Sequence, residues 1–149
     1  MNDHKMPQSL SLDFFKEEDL RSDSQQGTKL RLNVIGVGAM GQEHIWTALK
    51  TGKAEITGIY DPNKPSIDSC AKWFPDFSKV VKYPSINEAV LDPDVDGLII
   101  ATPNFQHIKD LRVACQSGKP ILVEKPMATN VRDAWEIVEM ARKHPAPIQ

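Results

Sequence analysis

Read for apolar and polar positions alone, the chain divides near residue 29. Before that point the sequence is polar and mixed. After it, short apolar runs alternate with segments of helical period. Leu30–Val37 is almost wholly apolar, as a strand buried on both faces of a parallel sheet requires. Gly41–Lys50 reads as a helix, with Gly41, Ile45, Ala48 and Leu49 on one face. The same alternation continues through a strand at Glu55–Tyr60, a helix at Lys64–Trp73 broken by Pro75, and a short strand at Lys79–Tyr83. Ser85–Leu91 reads as a short helix, with Ser85 and Glu88 spaced as a capping box. Gly97–Thr102 is a fourth strand, followed by a helix at Asn104–Ser117 that Gly118 ends. Pro120–Val123 is a fifth strand. Asn130–Lys143 is a helix with Val131, Ala134, Trp135, Val138 and Ala141 on its apolar stripe. Such alternation predicts an α/β fold, a parallel doubly wound sheet covered on both faces. Pro147-Ile148-Gln149 stands where a sixth strand would start, so the expected sheet is cut short near that strand.

The two parts therefore read as a polar N-terminal tail at 1–28 and one domain at 29–149. In the tail, acids outnumber bases. Over the 149 residues the net charge is −2, which offers no basic footprint for nucleic acid or a membrane surface. No apolar run approaches the ~20 residues of a membrane span, and the first residues lack signal-peptide character, so the cytoplasm is the expected location. Cys70 and Cys115 read as two reduced thiols inside helices; no Cys/His register suggests a metal site. An uncovered edge strand beside a missing sixth strand would invite self-association into a homo-oligomer.

Chemistry enters at the strand ends. Gly36-x-Gly38-x-x-Gly41 closes the first strand and opens the first helix. Gly36 permits the tight turn, Gly38 lets the backbone approach a pyrophosphate, and Gly41 lets the helix pack on the sheet. N–H groups from about Ala39 through Met40 to Gly41 would face phosphate at the helix start. Asp61 lies 20 positions past Gly41, at the end of the second strand. A carboxylate there can accept both ribose hydroxyls of an adenosine and repel a 2′-phosphate, which favours NAD over NADP; Asn63 or Lys64 could soften that preference. At the fourth strand end, Pro103 offers an apolar wall, Asn104 reads as a helix N-cap, and His107 alone reads as a surface residue of the first turn. Lys125 follows the fifth strand between Glu124 and Pro126. A partly buried ammonium there could hold a substrate hydroxyl or carbonyl oxygen. Tyr60 and Lys64 spell a Tyr-x-x-x-Lys pair, but Pro62 between them keeps the two off a shared helical face.

Taken together, Gly36-Val37-Gly38-Ala39-Met40-Gly41-Gln42-Glu43-His44, Ala101-Thr102-Pro103-Asn104-Phe105-Gln106-His107 and Val123-Glu124-Lys125-Pro126 resemble the glucose–fructose oxidoreductase / inositol dehydrogenase (Gfo/Idh/MocA) family. The resemblance covers about Leu30 to Gln149. It implies NAD(P) binding, with Thr102, Pro103, Asn104 and His107 lining the cofactor cleft and Glu124 beside the nicotinamide ribose. It implies that Lys125 lies near the nicotinamide and orients or polarises the reacting C–O group, while His44 is structural. The implied substrates are sugars, cyclitols and related polyols oxidised by hydride transfer. The family continues into a second α/β domain that supplies an acid/base His and commonly the oligomer interface. This chain stops before it, so the expectation is a cofactor domain whose catalytic centre is incomplete, or a non-catalytic dinucleotide-binding module.

Overall fold

A computed structural model describes residues 28–149; the expected tail lies almost wholly outside the described residues. The strands are β1 (Leu30–Ile35), β2 (Ala54–Tyr60), β3 (Val81–Lys82), β4 (Gly97–Ile100) and β5 (Ile121–Val123). The helices are α1 (Ala39–Thr51), α2 (Lys64–Ala71), α3 (Ile86–Leu91), α4 (His107–Ala114) and α5 (Val131–Lys143). All strand pairs are parallel, in the order β3-β2-β1-β4-β5. The order reverses between β1 and β4, the switch point where open α/β sheets bind ligands.

Successive strand residues feed two separate cores. Val34, Ile59 and Ile99 pack with Ile45 of α1 and Cys70 of α2 on one face. Ile35, Leu98 and Ile100 pack with Val90 of α3, Leu111 of α4 and Ile137 of α5 on the other. This is why consecutive apolar residues occur at the strand centres, as in Val34-Ile35 and Leu98-Ile99-Ile100. The start of a sixth strand is also present. Ile148 bridges Ile121 in parallel, and the Val123 N–H donates to Gln149 O at 2.8 Å.

Several elements depart from the sequence pattern. β3 shrinks to two residues because Phe77–Lys79 forms a 3₁₀ turn. Helix α2 ends before Trp73, since the Trp73 and Phe74 N–H groups both turn back onto Cys70 O. Only half of the capping box forms at α3: Ser85 Oγ accepts the Glu88 N–H at 3.3 Å, while the Glu88 carboxylate takes the Ser85 hydroxyl at 2.8 Å. The expected stripe of α5 is rotated. Val131 and Trp135 are 74% and 61% exposed, and Ile137 is the buried residue of the helix. At 100° per residue, the packed face lies about a quarter turn from the expected one.

Candidate functional site

The turns after β1, β2, β4 and β5 converge on one cleft of about 790 Å³, within the ~300–1,000 Å³ of small-molecule sites. Gly36, Gly38, Ala39, Met40 and Asp61 line it from one side. Thr102, Pro103, Asn104, His107, Glu124, Lys125 and Pro126 line it from the other. Of the predicted residues only Gly41 does not, because it faces the turn behind.

The three glycines have three different surroundings. Gly36 takes φ +87°, and a Cβ on it would lie 2.7 Å from Thr102 N, against the β4 turn. At Gly41 a Cβ would fall 2.0 Å from Gly36 O, so this glycine sets the approach of α1 to the turn. At Gly38 a Cβ would meet nothing within 4 Å. The protein itself makes no demand for glycine there, yet the position lines the cleft. That is the arrangement a pyrophosphate lying against the backbone requires. Helix α1 starts beside it with no acidic residue in its first turn. Gln42 is the first residue bonded back into the turn, onto Gly38 O at 3.0 Å, which places the N–H groups of Ala39 to Gly41 ahead of the helical ladder. These features fit a bound dinucleotide.

Each carboxylate at the cleft is held by donors. Asp61 accepts the Val37 N–H at 2.8 Å and the Asn63 N–H at 2.7 Å, one on each oxygen. The ammonium of Lys64 is engaged by Asp68 at 2.6 Å, and Lys64 does not line the cleft. Glu124 accepts His44 Nε2–H at 2.7 Å on one oxygen and the Lys125 N–H at 3.0 Å on the other. Asp110 is buried and accepts the Thr102 hydroxyl at 2.5 Å. Its burial pushes the carboxyl above the usual aspartate value, against the hydrogen bond from Thr102.

Two readings of the β4 loop are corrected. Asn104 does not cap α4. The Gln106 N–H donates to Pro103 O at 2.7 Å, so Pro103 to Gln106 close a turn and the helix starts only at His107. His107 is not a surface residue but is 1% exposed. Its Nε2 faces Thr102 O at 2.8 Å and its Nδ1 faces Pro126 O at 3.1 Å. A neutral ring donates to one of these carbonyls; the imidazolium donates to both. Lys125, expected partly buried, is exposed.

Sequence reasoning missed Gln42 and Asp110. Buried Gln42 donates to Val37 O at 2.9 Å and accepts the Trp73 indole N–H at 2.7 Å, fixing the glycine turn from behind. A polar residue one position past Gly41 on an otherwise apolar face was the available signal. Asp110 sits three residues past His107, one helical turn away, so the spacing from a suspected site residue could have flagged it.

A parallel sheet whose strand order reverses beside a glycine turn, with an acid at the end of β2, defines a Rossmann-type dinucleotide-binding domain. Residues 30–149 match the family described as "Oxidoreductase family, NAD-binding Rossmann fold" (Gfo/Idh/MocA), and the chain belongs to it. It is 35% identical over 111 residues to inositol 2-dehydrogenase of Rhodococcus jostii (strain RHA1), covering 74% of this chain and 30% of the relative. It is 29% identical over 122 residues to the rhizopine catabolism protein MocA of Rhizobium meliloti, covering 82% and 37%. Myo-inositol dehydrogenase from Lactobacillus casei, solved in complex with NAD(H) and myo-inositol, superposes with a TM-score of 0.71 at 25% identity, covering 81% of this chain and 36% of that one. The chain thus spans about a third of the length of these relatives. Among the described residues, no helix is long and apolar enough to cross a membrane.

Proposed function

We propose that this chain is the cofactor-binding part of a dehydrogenase that oxidises a secondary alcohol of a cyclitol, sugar or related polyol, with NAD preferred over NADP. The observation that carries this reading is the convergence of the glycine turn, Asp61 and the Glu124-Lys125-Pro126 segment on one cleft. NAD, when bound, supplies the hydride acceptor. Gly36, Gly38 and the N–H groups of Ala39, Met40 and Gly41 would hold its pyrophosphate. Asp61 keeps lone pairs free beside its two backbone donors and would accept the adenosine ribose hydroxyls. Thr102, Pro103, Asn104 and Pro126 would wall the nicotinamide half. Lys125 would donate to the oxygen of the reacting C–O group, and Glu124 would face the nicotinamide ribose. His44 and His107 are both engaged with protein acceptors. The base that takes the hydroxyl proton therefore belongs, in this proposal, to the length of the relatives that this chain does not span.

Titration of the chain with NADH and with NADPH tests the cofactor part. NADH is expected to bind at least about tenfold tighter, since a charged hydrogen-bond site is worth ~1.5–3 kcal/mol. Asp61→Ser should shrink or invert the ratio. Tighter NADPH binding by the unaltered chain would overturn the role given to Asp61. Oxidation of myo-inositol by a form that includes the rest of the relatives' length tests the substrate part; NADH binding without turnover of any polyol favours a non-catalytic binding module.

A further inference from the structure

Lys125 would act through an exposed, flexible side chain, so its aim depends on the backbone that carries it. That backbone is held from two helices. On its N-terminal side the Glu124 N–H donates to Ile100 O at 2.9 Å, the last tie to the sheet. On its C-terminal side Pro126 O faces His107 Nδ1 of α4 at 3.1 Å. Between them the Lys125 N–H has one acceptor, Glu124 Oε2 at 3.0 Å. The Glu124 side chain is only 11% exposed, and its other oxygen lies 2.7 Å from His44 Nε2. A carboxylate only accepts, so Nε2 of His44 carries the proton in this contact. His44 sits on α1, the same helix whose N-terminus faces the cleft.

We propose that His44 is a positioning residue for Lys125: by holding Glu124 against the sheet edge it fixes the peptide that bears the lysine, and it ties that peptide to the helix that starts at the glycine turn. This rests on the reading of Lys125 as the residue that holds the substrate oxygen. With His44 gone, Glu124 loses its donor from α1, its carboxylate turns toward water, and the Lys125 amide is released. A role in packing alone would instead loosen the whole end of β5.

Amide hydrogen exchange of the 149-residue chain without cofactor, read by NMR, separates the two. His44→Leu removes the donor; His44→Gln keeps an amide donor at similar reach. In the Leu variant, protection of the Lys125 amide should fall by about tenfold or more, as for a local opening, while Val123 and Ile99 stay as in the unaltered chain. The Gln variant should recover most of the protection. NADH affinity should follow the same order. Unchanged Lys125 protection in His44→Leu, or an equal loss at Lys125, Val123 and Ile99, would overturn the proposal. Failure of the unaltered chain to bind NADH would overturn the cofactor reading, and the exchange pattern would still decide the role of His44.

Discussion

Alanine placed in turn at Gly38 and Gly41 should separate what the fold needs from what the ligand needs. The Gly38 backbone has φ −65° and ψ −164°, at the margin of the extended region that alanine can adopt, and the new Cβ meets nothing within 4 Å. Two small terms oppose each other there. Reduced freedom of the unfolded chain favours Gly38→Ala by about 0.4–1 kcal/mol. Loss of a glycine N-cap costs a comparable amount. The net change should lie within about 1 kcal/mol of zero. Gly41→Ala gains up to about 1 kcal/mol of helix propensity, but its Cβ would sit 2.0 Å from Gly36 O and 2.9 Å from Gly36 C. Backbone cannot rotate away as a side chain can, so overpacking at or above the upper end of the usual ~1–3 kcal/mol applies. The net loss is about 2 kcal/mol or more, which for a domain of this size lowers Tm by roughly 6–10 °C. Thermal melts and urea midpoints, each paired with NADH titration, read both effects. Gly38→Ala should fold like the unaltered chain and bind NADH at least about tenfold more weakly, because the methyl occupies the pyrophosphate's place. Gly41→Ala should lose stability first. Equal destabilisation by the two substitutions, or unimpaired NADH binding by Gly38→Ala, would refute the assignment.

Two further outcomes follow from burial. Because the folded state raises the Asp110 carboxyl above its ordinary value, this group favours folding below about pH 4 and loses that contribution as pH rises through the raised folded value. Asp110→Asn should therefore gain in stability relative to the unaltered chain as pH rises from about 4 to 7, and a urea-midpoint difference that is flat with pH would contradict it. On α5, Trp135→Glu should change stability by no more than about 0.5 kcal/mol, whereas Ile137→Ala, at a residue 3% exposed, should cost about 2–5 kcal/mol; the reverse order in urea denaturation would restore the face expected from sequence.

What sequence could reveal divides by the kind of interaction. The strands were readable because a sheet covered on both faces makes most central positions apolar, and Val34 and Ile35 enter different cores. The glycine turn and Asp61 were readable because their spacing is set by local geometry. The packed face of helix α5 is not legible in its sequence because the helix carries apolar residues around more than half its circumference, with Ile137 and Met140 outside the expected stripe; the neighbouring α4 decides which arc is buried. Asn33 is another such case. It is fully buried in β1, donating to Ala89 O at 2.7 Å and accepting the Thr57 hydroxyl at 3.0 Å where the β1–β2 register shifts. Its partners lie 56 and 24 residues away. The burial of His107 is hidden for the same reason, since its Nδ1 faces a carbonyl 19 residues further on.

The side-chain ties around the cleft share one architecture. Asp61 ties the β2 turn to Val37 of the glycine turn; Gln42 ties Val37 to α1; His44 ties α1 to Glu124; His107 ties Pro126 to Thr102. Gly36 packs against the Thr102 backbone and closes the ring. Every tie except the last joins a side chain of one element to a group on another, so the rim of the cleft is held by contacts within the protein itself. Ordering loops on binding costs roughly 0.5–1.5 kcal/mol per immobilised side chain. A rim already fixed at six strand and helix ends avoids most of that cost. It follows that substitutions in the ring which touch no ligand, Gln42 and His44 among them, should weaken dinucleotide binding through the free protein, by loosening it, rather than through lost contacts in the complex.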